Sequence, residues 1–197
     1  MIDSVRYVLA LALVVLAPPA FGAWLFVHPL VRVWRSLGPR LCYGLLAVYY
    51  VATSATLFAV REDLLARRFR FDAVLATAGI VLLLVAVVLR IAVHRQLTLP
   101  IMFGRPEIDP RRGDRLLTGG IYRTMRHPRY VEAFFGIAGL ALFTNYAAVW
   151  IVAAAYVPVM MVVIRMEERE LAERFGPRWR EYSAAVPCVL PKLRPGG

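Results

Sequence analysis

Residues 73–93 read AVLATAGIVLLLVAVVLRIAV, from Ala73 to Val93, with Arg90 near the end. A membrane-spanning helix needs about 20 mostly apolar residues, and this stretch meets that length with almost no polar interruption. Working outward, Leu41–Val60 and Tyr7–Val27 are apolar over a similar length. Pro18 and Pro19 lie inside the latter, where a kink is expected. Downstream, the shorter stretch Val131–Phe143 meets Tyr146–Ile164 at Thr144-Asn145, a pair suited to a tight turn. Glu132 near the start of the shorter stretch implies that it begins earlier or packs inside the bundle. The expected fold is all-α. It is a polytopic membrane protein with about five transmembrane helices, the last two a helical hairpin, plus a cytosolic C-terminal amphipathic helix.

That last element is expected over Arg165–Ser183, where Ile164, Leu171, Phe175 and Trp179 recur at near-helical spacing against a charged remainder. Gly176-Pro177 should break or kink it. Residues 1–197 form one expected domain, with three N-terminal spans in 1–93 and the motif-bearing half in 94–197. A cleaved leader is weighed against a retained first span. The run Tyr7–Ala17 has the size of a leader's apolar core, yet Arg6 is offset by Asp3 and apolar residues resume at Trp24, Leu25 and Phe26. The retained span is expected.

Composition agrees. The 197 residues are 60% hydrophobic, against roughly 45–50% in an ordinary soluble domain. The chain nonetheless carries a net charge of +11, from 24 Lys+Arg against 13 Asp+Glu. Basic proteins are often nucleic-acid binders, but the hydrophobicity opposes that class, and no nucleic-acid partner is expected. Five spans would put Arg6, Arg61, Arg67, Arg68 and Arg70 on one side and the remaining positive residues on the other. The positive-inside rule then places the N-terminus outside and the C-terminus in the cytoplasm. Cys42 and Cys188 form no CxxC or Cys/His cluster by spacing, so no metal is expected.

Three polar groupings fall on the expected cytosolic face. The first is Gly119-Gly120-Ile121-Tyr122-Arg123-Thr124-Met125-Arg126-His127-Pro128-Arg129-Tyr130. Its glycines permit close backbone approach. Pro128 suits the first position of a helix, which puts His127 at the helix start. A helix start flanked by Arg126 suits an anionic group. Interfacial anchoring by Arg and Tyr is the competing reading. The second grouping is Glu167-Glu168, two carboxylates within a turn of an apolar span, where ionisable groups are expensive and often functional. They lie about 100° apart on a helix, so both can flank one pocket. Paired carboxylates suit an ammonium or ribose hydroxyls, whereas Glu170 and Glu173 read as a solvated helix face. The third is the tail Phe175–Tyr182 with Val186-Pro187-Cys188-Val189-Leu190-Pro191, which can cap a pocket or anchor at the interface. His28 and His94 sit near span ends and read as interfacial. Asp109 and Asp114 lie among Arg111, Arg112 and Arg115 as solvated pairs.

Taken together, Gly120-x-Tyr122-x-x-x-Arg126-His127-Pro128-x-Tyr130, Glu167-Glu168-x-x-Leu171, Phe175-Gly176-x-x-Trp179-x-x-Tyr182 and Val186-Pro187-x-x-x-Pro191 resemble the isoprenylcysteine carboxyl methyltransferase family and its phospholipid methyltransferase relatives. The resemblance covers about residues 90–191. It implies an integral membrane methyltransferase that uses S-adenosylmethionine (SAM) and releases S-adenosylhomocysteine. The methyl acceptor would be lipophilic or a small membrane-soluble molecule, entering from the bilayer. Arg126 and His127 would be catalytic, and Gly120, Tyr122, His127, Pro128, Tyr130, Glu167 and Glu168 would bind the cofactor. Two positions depart from the pattern. Cys188 stands where the family's tail carries Arg, which touches the carboxyl acceptor in particular, and Trp179 stands where Tyr is usual. A second resemblance, to NADPH-dependent membrane sterol and steroid reductases, rests on Arg126-His127-Pro128-x-Tyr130 followed by an acid. Here that acid, Glu132, comes one position early and Arg129 replaces Asn. A non-enzymatic membrane scaffold is the third reading.

Overall fold

The computed structural model describes residues 1–27, 29–96 and 116–189. His28, Asp109, Asp114, Arg111, Arg112, Arg115, Leu190 and Pro191 lie outside the described residues. Among those described, the chain is helical, with one isolated β-bridge between Arg68 and Tyr146. In chain order the helices are α1 (Ile2–Val27), α2 (Val31–Leu37), α3 (Pro39–Ala59), α4 (Arg61–Leu64) and α5 (Ala73–His94). They are followed by a 3-10 turn (Gly120–Arg123), α6 (Pro128–Thr144), α7 (Ala147–Phe175) and α8 (Pro177–Ala185).

Four of these, α1, α3, α5 and α7, are long and apolar enough to cross a membrane. Helix α1 is continuous through Pro18 and Pro19. Their outward faces are apolar rather than polar: Val48 is 68% exposed, Val74 77% and Ile151 68%. A water-soluble protein reverses that arrangement, whereas a lipid-facing bundle requires it. Helix α3 is the extreme case, burying Cys42 alone among its residues.

Helix α6 is the fifth candidate. It has 17 residues, so it is about 26 Å long against a hydrocarbon core of about 30 Å. It starts at Pro128, three residues before the apolar run, because Pro supplies a preset φ and no N–H is needed there. The extension brings Glu132 inside the helix, where it is buried and accepts from Arg90 of α5 at 2.8 and 2.9 Å. Helices α5 and α6 touch backbone to backbone. A Cβ on Gly79 would lie 2.6 Å from the Gly139 carbonyl oxygen, and one on Gly139 would lie 2.8 Å from that of Gly79. Small residues allow such approach where lipid provides no hydrophobic drive between helices.

The α6–α7 connection is a single tight turn. Asn145 takes a left-handed conformation (φ 53°, ψ 48°), which Asn tolerates better than most residues. Its side chain donates to the Arg70 carbonyl and accepts from the Trp150 indole. Arg6 joins α1 to the same end: its guanidinium donates to the carbonyls of Thr144 (2.9 Å) and Phe69 (2.8 Å) and to Asp3. The N-terminus, the 61–71 loop and the hairpin turn therefore share one end of the bundle. The Arg126–Tyr130 segment, Glu167-Glu168 and α8 lie at the other.

Candidate active site

The second end is assembled by three segments. His127 precedes α6, and Pro128 behind it is almost fully enclosed, which fixes where the His127 ring can point. Helix α7 runs past the end of its apolar stretch as an unbroken helix to Phe175, so Glu167 and Glu168 are carried on a rigid rod. Gly176 (φ 53°) then turns the chain into α8. Helix α8 packs Trp179 and Tyr182, with Val186 beyond it, against Leu116, Leu171 and Phe175. The tail beyond runs alongside the loop before α6 in the same chain direction. Arg126 N–H donates to the Pro187 carbonyl (2.9 Å), and His127 N–H to that of Cys188 (3.0 Å).

Inside this frame, Arg126 is fully engaged. Its Nε and Nη2 donate to Glu168 Oε1 at 2.9 and 2.7 Å, while Nη1 donates to the carbonyls of Ser183 and Val186. Its guanidinium also lies 5.8 Å from the centre of the Trp179 ring. His127 sits between the two acids, with Nε2 3.0 Å from Glu168 Oε1 and Nδ1 3.6 Å from Glu167 Oε2. Tyr130 donates its hydroxyl to Glu167 Oε2 at 2.8 Å, and its own carbonyl accepts from Tyr156 of α7. The side chain of His127 is 3% exposed, whereas those of Glu167 and Glu168 are 28% and 27% exposed. The acids form the open side of the cluster and His127 its floor.

Gly120 and Tyr122 stand one layer behind. Gly120 has φ 54°, and a Cβ there would meet the Gln96 side chain at 2.6 Å. What approaches this glycine is therefore a neighbouring side chain. The Tyr122 ring packs against Val93, and its carbonyl accepts from the Tyr182 hydroxyl at 2.7 Å. Burial, reinforced by the charge of Glu167, raises the Tyr122 phenol well above its usual range. Burial likewise pushes Tyr182 up to about 12. The Cys188 thiol is raised by burial and then by the negative charge of Glu168. All three stay protonated near neutral pH.

Arg126, His127, Tyr130, Glu167 and Glu168 are thus brought into one connected network, with Gly120 and Tyr122 as its scaffold. Three partners carried little sequence signal. The carbonyls of Ser183 and Val186 are backbone acceptors that any residue offers. Cys188 is set beside His127 by main-chain pairing. The Arg90–Glu132 pair did have a signal, since opposite charges embedded in two apolar stretches need each other.

The chain is 39% identical over 87 residues to the cobalt-zinc-cadmium resistance protein CzcN of Cupriavidus metallidurans, covering 44% of this chain and 40% of that protein. It is 36% identical over 87 residues to the nickel-cobalt-cadmium resistance protein NccN of Alcaligenes xylosoxydans xylosoxydans, with the same coverage. The chain thus matches about two fifths of the length of these curated relatives. No solved structure matches. The phospholipid methyltransferase family model matches residues 74–178, which span α5 to the start of α8 and include both Arg126-His127-Pro128 and Glu167-Glu168. On that match over more than half its length, this chain belongs to the phospholipid methyltransferase family.

Proposed function

We propose that the chain is a SAM-dependent membrane methyltransferase acting on a lipophilic or small membrane-soluble acceptor. One observation carries the reading: Glu167 and Glu168 both turn onto His127 at the start of α6 while keeping an open side. The donor set fits SAM. Two partly exposed carboxylates suit its ammonium and ribose hydroxyls, and the half-buried Tyr130 ring beside them offers apolar area. Bound SAM supplies an electrophilic methyl group on a sulfonium.

The protein's own task is positioning and water exclusion. Glu167 and Glu168 hold the cofactor's polar groups. Arg126 is spent on Glu168 and on two carbonyls of the tail, so we assign it to positioning: it clamps α7, α8 and the loop before α6 together. His127, nearly enclosed between the acids, orients Glu168 through Nε2, while Tyr130 holds Glu167 beside it. For an amine acceptor, His127 is also the nearby group able to hold a proton. A carboxylate or thiolate acceptor needs no base once ionised. The acids reaching His127 come from α7, while Glu132 is committed to Arg90. That arrangement favours the methyltransferase reading over the reductase one.

The isoprenylcysteine-type acceptor is the finer part of the proposal. Cys188 at the Arg position leaves a carboxyl acceptor without that cation, so lipid amines and small thiols belong in the test. The cytosolic placement of this end, with α6 as a fifth span, completes the proposed topology. The relatives' names concern resistance to cobalt, zinc, cadmium and nickel. Membranes from cells grown with and without these ions are therefore the acceptor sources to compare. The experiment is transfer of radiolabel from methyl-labelled SAM into lipid extract and a thiol panel by purified protein in detergent. Label in one product class supports the reading. No label, together with a thermal shift by NADPH and none by S-adenosylhomocysteine, would favour the reductase.

A further inference from the structure

The tail places a third kind of donor beside His127 and Glu168. One ligand atom each from His127, Glu168 and Cys188 lies within 4.8 Å of the other two. We propose that these three side chains form a binding site for one borderline-soft divalent ion of the zinc, cadmium or cobalt class.

The chemistry matches the class. A thiolate, an imidazole and a carboxylate together select such ions over hard oxygen-seeking ones. Three protein ligands also leave a fourth tetrahedral position open. With bonds of about 2.0–2.3 Å, tetrahedral ligand atoms stand about 3.3–3.8 Å apart. His127 Nε2 and Glu168 Oε1, 3.0 Å apart, need to open by a few tenths of an ångström, and a closure of about 1 Å by the cysteine sulfur completes the set. The backbone supports it, because the His127 N–H bond to the Cys188 carbonyl holds the two residues side by side.

The surroundings follow the pattern of metal sites as well. A metal-bound imidazole usually turns its other nitrogen to a carboxylate, which fixes its tautomer. With Nε2 on the ion, His127 Nδ1 faces Glu167 Oε2, itself held by the Tyr130 hydroxyl. Arg126 opposes a cation, but its charge is already matched by Glu168 and its Nη1 by two carbonyls. Binding exchanges the Cys188 S–H proton for the metal and changes no oxidation state. No sequence motif marks the site, because its donors come from the start of α6, from α7 and from beyond α8.

The test uses tag-free, chelator-washed full chain in detergent, titrated with Co²⁺ and with Cd²⁺. We expect one ion per chain, with a thiolate-to-metal charge-transfer band that survives Cys42→Ser and disappears in Cys188→Ser. Glu168→Gln should weaken affinity by about tenfold or more. In the wild-type protein, Cd²⁺ should also protect Cys188 from alkylation, read by mass spectrometry, which needs no variant to fold. Absence of the band, its loss in Cys42→Ser with retention in Cys188→Ser, or unprotected Cys188 at saturating Cd²⁺ would overturn the site. These readouts do not depend on methyl transfer, so the two proposals can fail separately.

Discussion

Each end of the bundle is tied by an arginine, Arg6 buried and Arg126 partly so, and the two differ in what they hold. Arg6 is 2% exposed and gathers α1, the 61–71 loop and the hairpin turn through two backbone carbonyls. Its acidic partner, Asp3, has a side chain 63% exposed, so no second function is buried with it. Arg126 also gathers three segments and also uses two carbonyls. Its acid, however, is shared with His127, linked through that ring to Glu167, and set beside a thiol. The same structural device is therefore elaborated at one end only. A buried arginine alone marks a joint, and acids and imidazole converging on it from other helices mark a site.

The largest expected effect comes from breaking each joint in turn. Arg126→Ala leaves Glu168 and two carbonyls without their donor, and Arg6→Ala does the same to the Thr144 and Phe69 carbonyls. Each should cost about 2 kcal/mol or more, seen as a lower melting temperature in detergent. The comparison separates in activity. Arg126→Ala should lose about 100-fold in methyl transfer per folded molecule, since misplacement by about 1 Å is that costly, whereas Arg6→Ala should keep it. Equal loss in both would dissolve the distinction.

A milder cut removes one hydrogen bond at each end. Tyr130→Phe deletes the donor to the charged Glu167, worth about 1.5–3 kcal/mol, and Trp150→Phe deletes the neutral bond to Asn145, worth about 1 kcal/mol. Only the first should raise the KM for SAM. The smallest effect concerns Cys188 in a Cys42→Ser background. Its thiol is raised, so the thiolate fraction at neutral pH is low, and alkylation should be slow there and speed up as pH rises past the ordinary thiol range. Glu168→Gln removes the second cause of the shift and should accelerate alkylation at a given pH. A rate insensitive to that change would separate Cys188 from the cluster.

The two ends also differed in how far they could be read from sequence. Spans α1, α3, α5 and α7 follow from apolar length alone, because lipid demands a stretch that residue counting detects. Arg126, His127, Glu167 and Glu168 stood out by chemistry, as acids and imidazole beside apolar spans. Their exposure did not. That His127 is the enclosed floor and the acids the open wall depends on how α8 and the tail fold back. Those contacts are mostly backbone: Ser183, Val186, Pro187 and Cys188 contribute carbonyls, which leave no trace in residue type. Arg6 was legible only as a topology charge, since its long-range partners are carbonyls too. Gly120 read as a place of close backbone approach, and the structure sets the Gln96 side chain against it.

The most direct test of the central claim is calorimetric titration of SAM and S-adenosylhomocysteine into purified protein in detergent, comparing wild type, Glu167→Ala and Arg6→Lys. The account predicts saturable heat for wild type and for Arg6→Lys, with binding lost or weakened by about tenfold or more in Glu167→Ala. No heat for wild type, or binding unchanged by Glu167→Ala, would contradict it.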